Sequence, residues 1–288
     1  LKILVQTNRR NESQLTREFQ KLSESGFEVI PFGYIERYAS SIASTFGSDR
    51  KEIVFTGLED IDPNEPILAR TGIRLIKSLK VDNIPANIDL SKTIDYDSKV
   101  FETPNIPESL AFLNKHPGDY FFTSFLNIAD VKFDTNVFIK PFNDLKGFEG
   151  FIIPKGTTVR EYYSNKNSDF LTENMSLPIH VSSNVRTINE EVRCYVVNKK
   201  VVTVSRYRFR GQPNINPLPP GREKEYIAYA QRVINAIYAP CDNFTIDICL
   251  VDEQNFFQVV EYNCLTASGL YGCNTKILFN ALKEYYYG

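Results

Sequence analysis

The sequence predicts an α/β chain, α+β in its second part, and three observations lead there. The first ninety residues alternate short apolar strands with helix; from Asn136 onward strand follows strand with brief loops; and two helices, near 222–238 and 275–286, bracket a further pair of strands. At 288 residues there is room for two compact domains sharing a cleft, or for one large domain. Hydrophobic residues make up 42% and charged residues 24%, the balance of an ordinary globular protein rather than a disordered one.

Composition also excludes several functions. No apolar run approaches the ~20 residues that cross a bilayer, so no membrane partner is expected. A net charge of −2 gives no global pull toward nucleic acid or anionic lipid. Arg9, Arg10 and Arg17 are the only local argument for RNA, and nucleic acid is not an expected partner. The five cysteines, Cys194, Cys241, Cys249, Cys264 and Cys273, are odd in number, lack CxxC spacing and mostly sit in apolar runs. They read as reduced, mostly buried thiols of a cytoplasmic protein. His116 and His180 are the only histidines, too few for a His-rich metal site and a poor basis for a Ser-His-Asp triad.

In chain order, KILVQ (2–6) is a short strand, and LKILVQTNRRNESQ reads as a strand opening rather than a signal peptide. A helix is expected from about Asn11 to Ser25, with Leu15, Phe19 and Leu22 on one face, Asn11 or Ser13 as cap and Gly26 at its end. FEVIPF (27–32), EIVFTG (52–57) and PILART (66–71) are strands, in an order that suggests some parallel pairing. Polar and proline punctuation marks 80–136 as a connector with room for two short helices. NVFIKPF, GFIIP, PIHVSS, EVRCYVVN and KVVTVSRYRF follow as strands, then a proline-rich loop, GQPNINPLPPG (211–221). The helix at 222–238 is expected to bury Ile227, Ala230, Ile234 and Ile237. FTIDICLV (244–251) and FFQVVEYN (256–263) are joined by the turn DEQN. The expected organisation is an α/β domain over 1–95, a connector over 96–135, a small subdomain over 136–182 and a C-terminal subdomain over 183–288.

Asp247, Glu261 and Asn263 are the most informative residues. Glu261 and Asn263 are two apart on one strand and so share a face. A hairpin about 252–255 would bring Asp247 beside them. Three oxygen donors on one sheet face suit Mg²⁺, which takes a few protein oxygens with phosphate and water. A single acid on a strand more often faces solvent. The set is less ordinary, because Ile246, Ile248, Val259 and Val260 surround it with core-like residues, where an unpaired carboxylate is costly. Lys140, in VFIKP, needs an anion or a route to water, and a phosphate supplies the first. Gly147 and Gly150 flank Lys146 and would admit a close backbone approach. Snorkelling or loop lysines remain the alternative for both. Glu191, Arg193 and Tyr195 share one strand face, and Thr203, Ser205 and Tyr207 alternate with Val202, Val204 and Arg206. That polar face could line a cleft or be solvated.

The order and spacing over roughly 136–275 resemble the ATP-grasp superfamily. VFIKP resembles the strand whose lysine meets the nucleotide phosphates, and PIHVSS stands where the family has its adenine hinge. TIDIC followed by VVEYN is similar to the family's D…ExN metal signature. The resemblance implies an N-terminal α/β domain followed by two α+β subdomains enclosing a nucleotide cleft. It implies ATP and Mg²⁺, with Mn²⁺ as a substitute, as cofactors. Lys140 and Lys146 would hold phosphates, the backbone of His180 and Val181 the base, Glu191 the ribose or its surroundings, and Asp247, Glu261 and Asn263 the metal. Arg193, Lys140 and Lys146 also suit the phage-associated branch marked by one arginine and two lysines. Two departures stand out: Thr245 occupies a position where several ligases carry a catalytic arginine, and Ser182 and Ser183 replace the hinge acid. Arg193 and Arg206 are therefore the candidates for stabilising charge in the reaction. The implied activity joins a carboxylate to an amine, small molecule, peptide or protein, with formation of ADP. A phosphotransferase and a non-catalytic nucleotide-binding module are the alternatives, and a homodimer is left open.

Overall fold

The computed structural model describes residues 1–7, 12–38, 51–57, 67–70, 120–142, 148–164, 168–183, 185, 187–236, 239–251 and 256–288. It divides into two compact units, 1–93 with 264–288, and 94–263. The expectation placed 264–288 with the C-terminal subdomain. The contacts group this segment with the N-terminal unit, because its helix packs there through side chains described below.

In the first unit, strand β1 (Lys2–Gln6) leads through helix α1 (Glu12–Glu24) to β2 (Glu28–Tyr38), followed by β3 (Lys51–Thr56) and β4 (Ile67–Arg70). The sheet order is β3-β2-β1-β4. β1 lies parallel to both β2 and β4, and β3 runs antiparallel to β2. A strand covered on both faces reads as a continuous apolar run, and Ile3, Leu4, Val5, Ile67 and Leu68 are all buried. Leu22 of α1 is fully buried, with Leu15 and Phe19 half-buried on the same face. Gly26 ends the helix at φ +85°, a left-handed conformation that suits glycine. Ser13 lies inside the helix, and Asn11 lies outside the described residues.

The chain's last helix, α6 (Thr275–Tyr287), closes this unit. Asn274 caps it, its side chain accepting from Ile277 N. Phe279 packs on Phe27 with ring centroids 5.5 Å apart, the hydroxyls of Ser25 and Thr275 meet at 2.5 Å, and Lys21 Nζ donates to Tyr271 O at 2.6 Å. Tyr287 Oη bonds both N and O of Ile67, covering the outer edge of β4.

Arg70 is the residue of this unit that apolar patterning does not explain. It ends β4, only 4% exposed. Its Nε donates to Glu18 at 2.8 Å, Nη1 to Leu265 O and Thr266 O at 2.9 and 3.1 Å, and Nη2 to Ser268 O at 2.5 Å. One buried cation thereby fixes the segment that precedes α6. Arg70→Met leaves Glu18 and these carbonyls without their donor, and is expected to lower the unfolding free energy by about 3 kcal/mol in urea titrations. A loss below roughly 1 kcal/mol would contradict the clamp.

The second unit holds two antiparallel sheets. The first is built from β5 (Tyr120–Ser124), β6 (Val137–Pro141), β7 (Phe151–Ile153) and β8 (Pro178–Ser182), in the order β5-β8-β6-β7. Short helices α2 (Phe125–Ile128), α3 (Val159–Ser164) and α4 (Ser168–Asn174) complete it. Alternation sends Val137, Ile139, Ile179 and Val181 into a core with Phe125, Ile153, Val159 and Leu171. Aromatic rings line that core, with Tyr163 and Phe170 stacked at 4.3 Å.

The second sheet runs β11-β10-β9-β12-β13, from β9 (Ile188–Val197), β10 (Lys200–Phe209), β11 (Gln212–Pro213), β12 (Phe244–Val251) and β13 (Phe256–Asn263). β9 and β10 join through Asn198 and Lys199, both at positive φ, as a two-residue hairpin turn requires. Helix α5 (Arg222–Ala236) packs on this sheet. Its buried residues are Tyr226, Tyr229, Ala230, Val233 and Ile234. The expected Ala230 and Ile234 are among them, Ile227 is half-buried, and Ile237 lies outside the described residues. The stripe is rotated toward the tyrosines because their rings pack on Phe257, at 4.7 Å for Tyr226 and 5.4 Å for Tyr229. No helix of the described residues is long and apolar enough to cross a membrane.

Candidate functional site

The β12–β13 hairpin places the three donors together. Its register pairs Asp247 with Glu261 and Thr245 with Asn263, and β9 on the other flank sets Arg193 opposite Asp247. Asn263 Nδ2 donates to Glu261 Oε1 at 2.9 Å and to Asp247 Oδ2 at 3.3 Å. Arg193 Nε donates to Asp247 Oδ1 at 2.8 Å and Nη2 to Oδ2 at 2.7 Å, a two-pronged ion pair. Asp247 is fully buried and Arg193 nearly so. The Asp247 pKa is raised to about 6: burial pushes it up most, Arg193 pulls it down, and Glu261 and Glu191 add to the rise. Glu261 and Asn263 are half-buried and border the group on its open side.

The group continues across β9 onto β10. The Arg193 guanidinium stands 5.5 Å from the Tyr207 ring centroid, and Tyr207 Oη donates to Glu191 Oε2 at 2.6 Å. Arg208 Nη1 reaches Glu191 Oε1 at 3.3 Å. Two successive residues reach one carboxylate because the β9–β10 register shifts between Arg206 and Arg208. Burial, then Asp247 and Glu191, hold the Tyr207 hydroxyl well above its usual pKa, so it stays a donor. Burial works against the charge of Arg208, but Glu191, Tyr207 and Glu149 outweigh it and raise its pKa. Glu149 lies between β6 and β7, so that loop of the first sheet is within electrostatic reach of β10. Arg208 is not legible in the sequence, because a register shift leaves no mark there; Tyr207 stands on the polar face that alternation along the strand predicts.

Arg206 is not brought to this group. The register sets it beside Val192, out of phase with Arg193. Its Nη1 donates to Glu190 Oε2 at 2.9 Å and its Nη2 to Pro217 O at 3.0 Å, while Tyr226 Oη donates to Glu190 Oε1 at 3.0 Å. Arg206, the other candidate for stabilising charge in the reaction, thus ties the proline-rich loop to the sheet beside α5.

On the first sheet, Lys140 and His180 are cross-strand neighbours, out of phase with the core residues Ile139 and Val181. Lys146 lies outside the described residues. β8 is flanked on both sides, so the peptide groups of His180 and Val181 lie between β5 and β6. Ser183 is the first residue beyond the strand. A Cβ at Gly150 would meet the tip of the half-buried Phe138 ring at 2.6 Å, so a larger residue there would have to displace that ring.

Burial, aided by Lys140, lowers the His180 pKa from 6.5 to about 3. A folded value below the unfolded one means stability present above the unfolded pKa and lost as pH falls toward the folded one. Between pH 7.5 and pH 5 the chain should lose about 2 kcal/mol through this residue, and His180→Gln should remove that part of the slope in urea titrations. An unchanged slope in the variant would contradict a buried neutral imidazole.

Residues 123–281 match the family described as ATP-grasp domain, R2K clade family 2, more than half of the chain. The chain belongs to the ATP-grasp superfamily. Solved ATP-grasp structures share its fold. VanG D-Ala:D-Ser ligase from Enterococcus faecalis superposes with a TM-score of 0.52 at 13% identity, covering 99% of each chain. The D-cycloserine synthetase DcsG gives 0.52 at 9% identity, covering 99% of this chain and 100% of that one. No curated protein matches the chain.

ATP-grasp folds imply a divalent cation, and the chemistry of the donors bears on whether one fits. Among the described residues no group of three or more His, Cys, Asp or Glu side chains is arranged to hold a metal. The donors here are mixed, two acids and an amide, all oxygen ligands of the kind that hard cations take. The group's own hydrogen bonds use Glu261 Oε1 and Asn263 Nδ2. Glu261 Oε2 and Asn263 Oδ1 are left uncommitted within it, and with them the residues fit a hard cation.

Proposed function

We propose that this ATP-grasp protein is an ATP-dependent carboxylate–amine ligase that forms ADP. The observation that supports it most is the Arg193–Asp247–Asn263–Glu261 group, an acid set with a fixed cation on one sheet face of a family member. The similar folds include a D-Ala:D-Ser ligase and a D-cycloserine synthetase by name, and the reading extends that class of chemistry to this chain.

ATP would lie between the two sheets of the second unit, with Lys140 and Lys146 toward its phosphates and its base near Ser183, where the chain leaves β8. Glu191, fastened by Tyr207 and Arg208, would stand near the ribose. Glu261 and Asn263, with Asp247 behind them, would hold Mg²⁺, for which Mn²⁺ can substitute; when bound, it supplies positive charge across the phosphate oxygens. A substrate carboxylate oxygen attacks the γ-phosphorus, the bond to ADP breaks, and an acylphosphate forms. An amine nitrogen then attacks the acyl carbon, phosphate leaves, and the nitrogen gives up a proton. Negative charge gathers during the first step, so cations already in place contribute most of the rate, and no covalent protein nucleophile is needed. Arg193 fills that role in place of the arginine missing at Thr245.

The test is ADP release with Mg²⁺ across a panel of amino acids and dipeptides. The ligase reading expects ADP and amide in equal amounts, and only when carboxylate and amine are both present. ADP formed with a phosphorylated hydroxyl compound and no need of amine would establish a phosphotransferase instead.

A further inference from the structure

We infer that Asp247 does not ligate the metal, and serves instead as the counter-ion that holds Arg193, so that Glu261 and Asn263 are the protein's own metal ligands. The inference rests on the nucleotide–metal reading above and refines it.

Both Asp247 oxygens accept from Arg193, at 2.8 and 2.7 Å, and one of them also accepts from Asn263 at 3.3 Å. The carboxylate has no exposed surface. A cation approaching it would have to displace a guanidinium that is itself buried, and the displaced charge would need a new partner. Arg193 is meanwhile held in place by the Tyr207 ring beside it. Glu261 and Asn263 differ on every count: they are half-buried, and each has an oxygen the group does not use. The arrangement also answers the missing arginine at Thr245. The cation is supplied from the neighbouring strand, and Asp247 gives up ligation to hold it there.

Removing Asp247 alone would strand a positive charge beside the metal, so the informative variant removes both partners. Binding of Mn²⁺ to the full chain with saturating AMP-PNP, followed by the EPR signal of free Mn²⁺, would be compared for wild type, R193M/D247N and E261Q. The proposal expects the double variant to stay within threefold of wild type and E261Q to bind at least tenfold more weakly. A loss of tenfold or more in R193M/D247N with its circular dichroism spectrum intact would overturn it, as would wild-type affinity in E261Q. Should the double variant not fold, R193Q/D247N, which likewise leaves neither charge, is read by the same limits. A wild-type chain that binds no Mn²⁺ with nucleotide would overturn the ligase reading and this inference together, and is told apart because the wild type itself fails.

Discussion

Arg193→Met is expected to lower the unfolding free energy by about 3–5 kcal/mol, because it leaves a buried carboxylate without its partner. The loss has a pH signature, measured in urea with EDTA present. Asp247 titrates near 3.8 when unfolded and about 6 in the folded chain, and without Arg193 the folded value climbs further. A folded pKa above the unfolded one means the folded chain holds an extra proton between the two. Stability therefore falls as pH rises across that window and is level beyond it. The variant's window reaches to higher pH, so its loss at pH 8 should exceed its loss at pH 5. Equal losses at both would mean that the Asp247 charge is not what Arg193 neutralises.

Glu261→Gln is the second large effect, and it falls on turnover instead. The group asks of Glu261 only that Oε1 accept from Asn263 at 2.9 Å, which an amide oxygen can also do. Stability should change by less than about 1 kcal/mol. ADP formation should fall roughly 100-fold or more, because a charge aimed at the reacting phosphates through the cation is gone. Turnover within about threefold of wild type would remove Glu261 from the site.

These two residues also mark how far the sequence could be read. Glu261 and Asn263 are legible because a strand's side chains alternate, and a hairpin brings Asp247 near them; the even register of Val251 with Phe256 would set Asp247 against Val260, and only the shift between Asp247 and Ile248 pairs it with Glu261. The mixed α/β character, the parallel pairing of β1 and most element boundaries followed from periodicity and caps in the same way. What could not be read is what depends on neighbours remote in sequence. The Arg193–Asp247 pair joins strands 54 residues apart, and nothing local says that β9 rather than β10 flanks β12. The shift near Arg206 and Arg208 decides which arginine meets Glu191 and which meets Glu190. Arg70 was passed over as the polar end of an apolar strand, since its partners at 265–268 lie nearly two hundred residues away. The same distance hid the return of α6 to the first unit.

The N-terminal unit follows from these facts as a body that includes the end of the chain. Its sheet, helix α1 and the chain's last helix form one body through Tyr287, Phe279, Lys21 and Arg70. The chain that leaves the donor strand β13 at Asn263 enters this body at once. The segment 265–271 is thereby anchored within the first unit, by Arg70 and by Lys21.

Lys140 on one sheet, and Glu261 and Asn263 on the other, should meet the phosphates and cation of one nucleotide. Crystals grown with AMP-PNP and Mn²⁺, with an anomalous difference map at the manganese edge, test this. A manganese peak is expected within bonding distance of Glu261 and Asn263, with the phosphates between it and Lys140. A peak elsewhere on the molecule, or a nucleotide bound away from β6 and β13, would contradict it.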